Sequence, residues 1–107
     1  MEALQDMEYR DKIIDIFGSK WQIKFVDKIK VEDDSDVDGL TDSTNRIISV
    51  STSQSKNEVN ITLFHELIHA MLNTGQYLNT SKDEPMVEFL ARSFNSLMEQ
   101  GVIQWNP

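Results

Sequence analysis

The stretch Thr62-Leu63-Phe64-His65-Glu66-Leu67-Ile68-His69-Ala70 decides how the rest of the chain is read. It contains His-Glu-x-x-His, a spacing with a chemical reason. On a helix, positions i and i+4 stack on one face, so His65 and His69 can bind one ion from the same side. Glu66, beside the first of them, can reach a water on that ion. A zinc ion with three protein ligands keeps a fourth position open for such a water. The surroundings read as a helix. Ser55-Lys56-Asn57-Glu58 has the pattern of a capping box. Val59, Leu63, Phe64, Leu67, Ile68, Met71 and Leu72 supply a wide apolar surface, and Gly75 stands where a C-terminal cap belongs. A helix can carry two histidines for packing alone. This chain, however, has only two histidines and both fall in the motif. Unpaired imidazoles inside an apolar helix would be costly.

Working outward, 107 residues make one small domain, 1–107, with a modest core. There are no cysteines, which excludes disulfides and thiolate zinc sites and suits the reducing cytoplasm. Met1 to Asp6 lacks the basic and apolar regions of a signal peptide, and no segment is apolar enough to span a membrane. The net charge of −8 opposes binding to nucleic acid or to anionic membranes. The expected partner is a peptide or protein substrate, with neither nucleic acid nor membrane.

Ahead of the motif, Leu4, Met7, Ile13, Ile14, Ile16 and Phe17 give an imperfect helical pattern that predicts a helix over 3–17, ended by Gly18. Lys20 to Ile29 predicts a strand, with Trp21, Ile23 and Phe25 on its buried face. Val37 to Thr41 and Arg46 to Ser51 predict two more, separated by the turn residues Asp42 to Asn45. The third of these is expected to be the exposed edge beside the motif helix. Asp34-Ser35-Asp36-Val37-Asp38-Gly39 matches the first half of an EF-hand calcium loop, but the twelfth position falls on Asn45, where a bidentate Glu is required. The default is a solvated acidic turn. After the motif, Gln76 to Ser81 reads as a loop. Val87, Leu90, Ala91, Phe94, Leu97 and Met98 form the stripe of a last helix stopped by Gly101, and the apolar tail Val102 to Trp105 is expected to fold back. The fold class is α+β: an N-terminal helix, an antiparallel sheet of about three strands, the motif helix and a C-terminal helix.

With only two histidines, a third ligand must be a carboxylate. Glu84 and Glu88, at i and i+4 on the last helix, can point to one place. A helical projection puts Glu84 nearer the buried stripe, which favours it as ligand. Glu88 could then accept a hydrogen bond from the free ring nitrogen of a liganding histidine. Pro85 biases Glu84 away from helical angles and keeps Glu88 as the alternative ligand. Asp83 is a weaker candidate.

His65-Glu66-Leu67-Ile68-His69-Ala70 followed by Glu84-x-x-x-Glu88-x-Leu90-Ala91 resembles the gluzincin metallopeptidases, and looks most like the very small phage-type and ImmA/IrrE-type members. The likeness spans about residues 38–98 and includes Asp38-Gly39-Leu40-Thr41-Asp42. It implies a zincin-like fold, zinc as cofactor, His65, His69 and Glu84 as ligands, Glu66 as catalytic base and Glu88 as the residue orienting His65. Larger gluzincins often add a His or Tyr at the oxyanion. Here there is no third histidine, and Tyr77 is the only phenol near the motif. The expected function is zinc-dependent peptide hydrolysis. The alternative is a zinc-stabilised interaction or inhibitor module without activity.

Overall fold

The structure is a computed structural model that describes residues 9–33 and 35–104. Among these residues it has an α+β fold in which one long helix packs on a small mixed sheet and two further helices pack on that helix. The strands are β1 (Lys12–Ile16), β2 (Ser19–Val26), β3 (Ile29–Lys30), β4 (Asp36–Val37), β5 (Gly39–Asp42) and β6 (Ile47–Ser51). The helices are α1 (Lys56–Thr74), α2 (Leu78–Ser81) and α3 (Glu84–Glu99). No helix among the described residues is long and apolar enough to cross a membrane.

The helix expected over 3–17 is not present where the chain is described. Residues 1–8 lie outside the described part, and Lys12–Ile16 is a strand paired antiparallel with β2. The reason is local. Ile13, Ile14 and Ile16 are β-branched and favour extended backbone, and their exposure alternates: Ile13 faces solvent while Ile16 is buried. Phe17 and Gly18 then take positive φ, 50° and 86°, and form a two-residue hairpin turn. Asp15 Oδ1 accepts from the Gly18 N–H at 2.7 Å.

The main sheet has the order β1-β2-β6-β5, four strands rather than three, with β2 and β6 parallel. So β6, expected at the edge, is internal, and the edge beside α1 is β5. Ile23 pairs with Ile48 and Phe25 with Val50, which sets Trp21, Ile23, Ile48 and Val50 on one buried face. The acidic segment is a two-stranded ribbon of β3 and β4. Strands rather than helices flank it, so the EF-hand geometry is not formed there; Asp34 lies outside the described residues.

Helix α1 starts where Ser55 Oγ accepts from the Glu58 N–H at 3.3 Å. At its other end the left-handed residue is Gln76, φ 68°, one position beyond the expected Gly75. The Gln76 N–H bonds Asn73 O and the Tyr77 N–H bonds Leu72 O, a Schellman ending. Two faces of α1 are buried. Val59, Leu63 and Ala70 pack on the sheet face with Trp21, Ile23, Ile48 and Val50. Ile61 and Ile68 pack on Val87 and Ala91 of α3. The segment expected as a loop contains the single turn α2. In the tail Val102 is exposed rather than folded back, and Trp105 lies outside the described residues.

The hairpin turn yields a prediction. Phe17 is 77% exposed and holds a left-handed backbone, which costs a non-glycine residue roughly 1–2 kcal/mol. Phe17→Asn, giving an Asn-Gly turn, should stabilise the domain by about 1 kcal/mol, read as a rise of a few degrees in Tm. An unchanged or lower Tm would count against this turn.

Candidate metal centre

Helix α1 places His65 and His69 one turn apart, and α3 meets them at its first residue, Glu84. The Nε2 atoms of the two histidines are 3.2 Å apart. Glu84 Oε1 lies 2.7 Å from His69 Nε2, and Glu84 Oε2 lies 3.5 Å from His65 Nε2. One donor atom from each residue fits within 4.8 Å of the others. Zinc–ligand lengths of about 2.0–2.1 Å in tetrahedral geometry put neighbouring donors about 3.3 Å apart, and the observed separations bracket that value. The donor set suits a zinc ion in size and chemistry.

The other ring nitrogens explain how the lone pairs are aimed. His65 Nδ1 is 2.9 Å from Glu88 Oε1. Glu88 is held ionised. Burial works against its charge, but hydrogen bonds to His65 and Arg92 outweigh burial and keep the carboxyl below its ordinary range. A carboxylate only accepts, so His65 carries its proton on Nδ1 and turns the Nε2 lone pair toward Glu84. His69 Nδ1 is 2.9 Å from the hydroxyl of Ser81, which is 7% exposed on α2. The Ser81 hydroxyl can accept from Nδ1–H, and in that tautomer His69 presents its Nε2 lone pair as well. In the tautomers with both protons on Nδ1, three acceptors face one point, the donor arrangement a cation would take.

Glu66 lies against β5, close enough to His65, His69 and Glu84 for their charges to act on it. It is 8% exposed, and Thr41 Oγ1 donates to its Oε1 at 2.7 Å. Burial pushes its carboxyl up from the ordinary value, against the Thr41 hydrogen bond and the nearby His65 and His69, which pull it down; Glu84 adds a push upward. Gly39 makes this packing possible. A Cβ there would lie 2.6 Å from Thr62 Cγ2 and 2.8 Å from Glu66 Oε2, closer than atoms approach, so β5 can lie on α1 here only without a side chain.

The structure thus brings His65, His69 and Glu84 together and sets Glu88 behind His65. The projection argument for Glu84 does not hold. Its side chain is 62% exposed against 40% for Glu88, and the buried line on α3 is Val87, Ala91 and Asn95. Glu84 reaches the histidines because it is the first residue of α3, with Pro85 just inside the helix. Asp83 caps α3 by accepting from the Met86 N–H, so it has a structural role. Tyr77 is exposed ahead of α2. Sequence reasoning missed Ser81, Thr41 and Arg92. Arg92 Nε donates to Glu88 Oε2 at 2.8 Å, and its Nη2 is 3.6 Å from Glu58, so it ties Glu88 to the first turn of α1. Arg92 falls at i+4 from Glu88, a signal that was available; Ser81 carried none. A cleft of about 240 Å³ opens beside His65, with Glu58, Thr62, Glu88 and Arg92 in its walls. No protein-family model matches the chain, and no curated protein or solved structure matches it either.

Two tests address this geometry. In a zinc titration, Glu84→Ala should lose affinity severely, while Glu88→Ala and Ser81→Ala should each lose about 10–100-fold. Loss of metal in Glu88→Ala with normal binding in Glu84→Ala would reverse the two glutamates. The second test concerns Glu66 in metal-free protein. Its folded pKa is raised, so the stability it contributes is fully present below the unfolded carboxylate value and is lost as pH rises through the folded value. Glu66→Gln keeps an acceptor for Thr41 and carries no charge. It should be more stable than the parent at neutral pH, with the gap in Tm closing as pH falls into the ordinary carboxylate range. A gap independent of pH would show that Glu66 is not held against its charge.

Proposed function

We propose that this chain is a minimal zinc-dependent metallopeptidase of the gluzincin type, built on a zincin-like fold. The observation that carries the reading is the convergence of His65, His69 and Glu84 on one point with the buried carboxylate of Glu66 one residue from the first ligand. A purely structural zinc has no use for Glu66, and this favours hydrolysis over a zinc-stabilised interaction module.

His65, His69 and Glu84 would hold the ion. When bound, zinc supplies Lewis acidity toward a peptide carbonyl and lowers the pKa of a water to about 7. Glu66 is the proton carrier. Thr41 holds its Oε1, and the carboxylate would take the proton of the attacking water and deliver it to the leaving amine. A carboxyl raised by burial holds that proton better than an ordinary one, which suits both halves of the task. Glu88 and Arg92 keep His65 in the tautomer that ligates, and Ser81 does the same for His69. The outer edge of β5 ends the main sheet, and Gly39 and Thr41 on this strand lie against Glu66. An extended peptide that paired with β5 would run directly past the proton carrier. The substrate is accordingly a peptide or an unfolded protein segment.

The purified chain should carry close to one zinc, and chelation should lower Tm, because a ligand bound only to the folded state stabilises it. Glu66→Gln should retain both the zinc and its effect on Tm yet lose cleavage of a peptide library read by mass spectrometry. Absence of any divalent ion would overturn the metal centre, and undiminished cleavage in Glu66→Gln would remove Glu66 from the chemistry.

A further inference from the structure

The cleft of about 240 Å³ beside His65 carries more charge than the proposed hydrolysis uses. Of its walls only Ile61 is apolar; the others are Asp38, Glu58, Thr62, Glu88 and Arg92, with His65 itself. Three carboxylates against one guanidinium leave an excess of two negative charges there. Arg92 does not turn the cleft toward anions, because its donors are already committed. Its Nε donates to Glu88 Oε2 at 2.8 Å, and its Nη2 lies 3.6 Å from Glu58 Oε1. Asp38 is exposed, and among the described residues its carboxylate pairs with no cation. Thr62 Oγ1 donates to Gln54 Oε1 at 3.0 Å, which leaves its lone pairs to accept.

Charged walls alone make an ordinary solvated surface. Two features of the placement point instead to a substrate side chain. The cleft shares His65 with the metal centre, so its occupant lies beside the reacting bond. It also opens at the start of β5, the sheet edge with which an extended peptide can pair. Gly39, the first residue of β5 and the neighbour of Asp38, puts no side chain between that edge and the Thr62 wall. Alternate side chains of a paired strand point to one face of the sheet. One of them therefore turns toward α1 and the cleft.

Resting on the proposed hydrolysis, we infer that this cleft selects a cationic side chain, lysine or arginine, next to the scissile bond, with Asp38 and Glu58 as its principal acceptors. A long aliphatic stem can lie along Ile61 while its charged head meets the carboxylates. Zinc does not cancel the attraction, since its charge is matched by Glu84 and Glu66. The net charge of −8 on the chain acts in the same direction by drawing cationic peptides in.

The test has a binding arm and a cleavage arm. For binding, the 15N-labelled Glu66→Gln chain is supplied with zinc, so that the peptide survives. It is titrated with two blocked peptides that differ only in a central lysine or glutamate, at fixed pH and ionic strength. The lysine peptide should shift the amide resonances of Asp38, Ile61 and Thr62 saturably, and the glutamate peptide should not. Asp38→Asn, a change at an exposed side chain, should raise the lysine midpoint by about fivefold, the upper value for a half-exposed ion pair. Asp38→Lys should abolish the preference. For cleavage, the parent chain with zinc is incubated with a peptide library, and cut sites read by mass spectrometry should carry lysine or arginine at one position beside the cut. Equal binding of the two peptides, shifts confined to other surfaces, or a lysine midpoint unmoved by either Asp38 variant would overturn the inference. Cleavage without a cationic preference would also overturn it and spare the hydrolytic reading. Lysine-selective binding at the cleft with no cleavage by the parent would do the reverse, keeping the cation selectivity and removing hydrolysis.

Discussion

The meeting of two imidazoles and a carboxylate at one point sets the terms for the rest of this molecule. Nε2 of His65, Nε2 of His69 and the Glu84 carboxylate meet at hydrogen-bonding range, where either a shared proton or a cation can join them. That meeting requires α1 and α3 to be held in register. Ile61 and Ile68 do so by burial against Val87 and Ala91. Asn95, buried on α3, reaches Asn57 in the first turn of α1, and Arg92 reaches Glu58 there. The packing and polar links between the helices therefore supply the preorganisation a metal would otherwise have to impose.

The same helix must also close the sheet-side core, which explains its composition. A helix with one buried face shows a single apolar stripe. Here Val59, Leu63 and Ala70 face the sheet while Ile61 and Ile68 face α3, so apolar residues run most of the way round. The site residues lie within this apolar surround. His65 and His69 open toward Glu84 and α2, while Glu66 is driven into the contact with β5. In a domain of this size, one helix serves both as core and as the carrier of the site.

This sharing governs what could be read in advance. The motif helix was legible because its spacing has a chemical reason independent of the fold. The buried faces of β2 and β6 were legible from alternation at Trp21, Ile23, Ile48 and Val50. The segment around Ile13, Ile14 and Ile16 was not, because its apolar positions fit helical and strand periods alike; what separated them was β-branching and the positive φ at Phe17. The internal place of β6 depends on a parallel pairing with β2 across a long connection, and no local signal reports such a pairing. The position of Glu84 beside the histidines followed from a burial argument that the structure does not support; the residue arrives there as the first of its helix. Ser81 sits in a one-turn helix between the two site helices, and nothing in its neighbours marks it as a partner of His69.

The two carboxylates flanking His65 show how little sequence is needed to give one residue type two roles. Glu66 and Glu88 both lie beside the same imidazole. Glu66 is buried against Gly39 and Thr41, with a single hydroxyl donating to it, and burial prevails, so its carboxyl rises. Glu88 sits on the rim and accepts from His65 and Arg92, and those donors prevail, so its carboxyl falls. Environments that push two like groups apart in this way separate the group that moves protons from the group that stays charged. Under the proposed hydrolysis, Glu66 must pick up and release a proton, and Glu88 must remain an acceptor so that His65 keeps its proton on Nδ1. Exchanging the surroundings would exchange the roles. The approach of β5, which only a glycine at position 39 permits, is therefore as much a part of the candidate site as the histidines that mark it in the sequence.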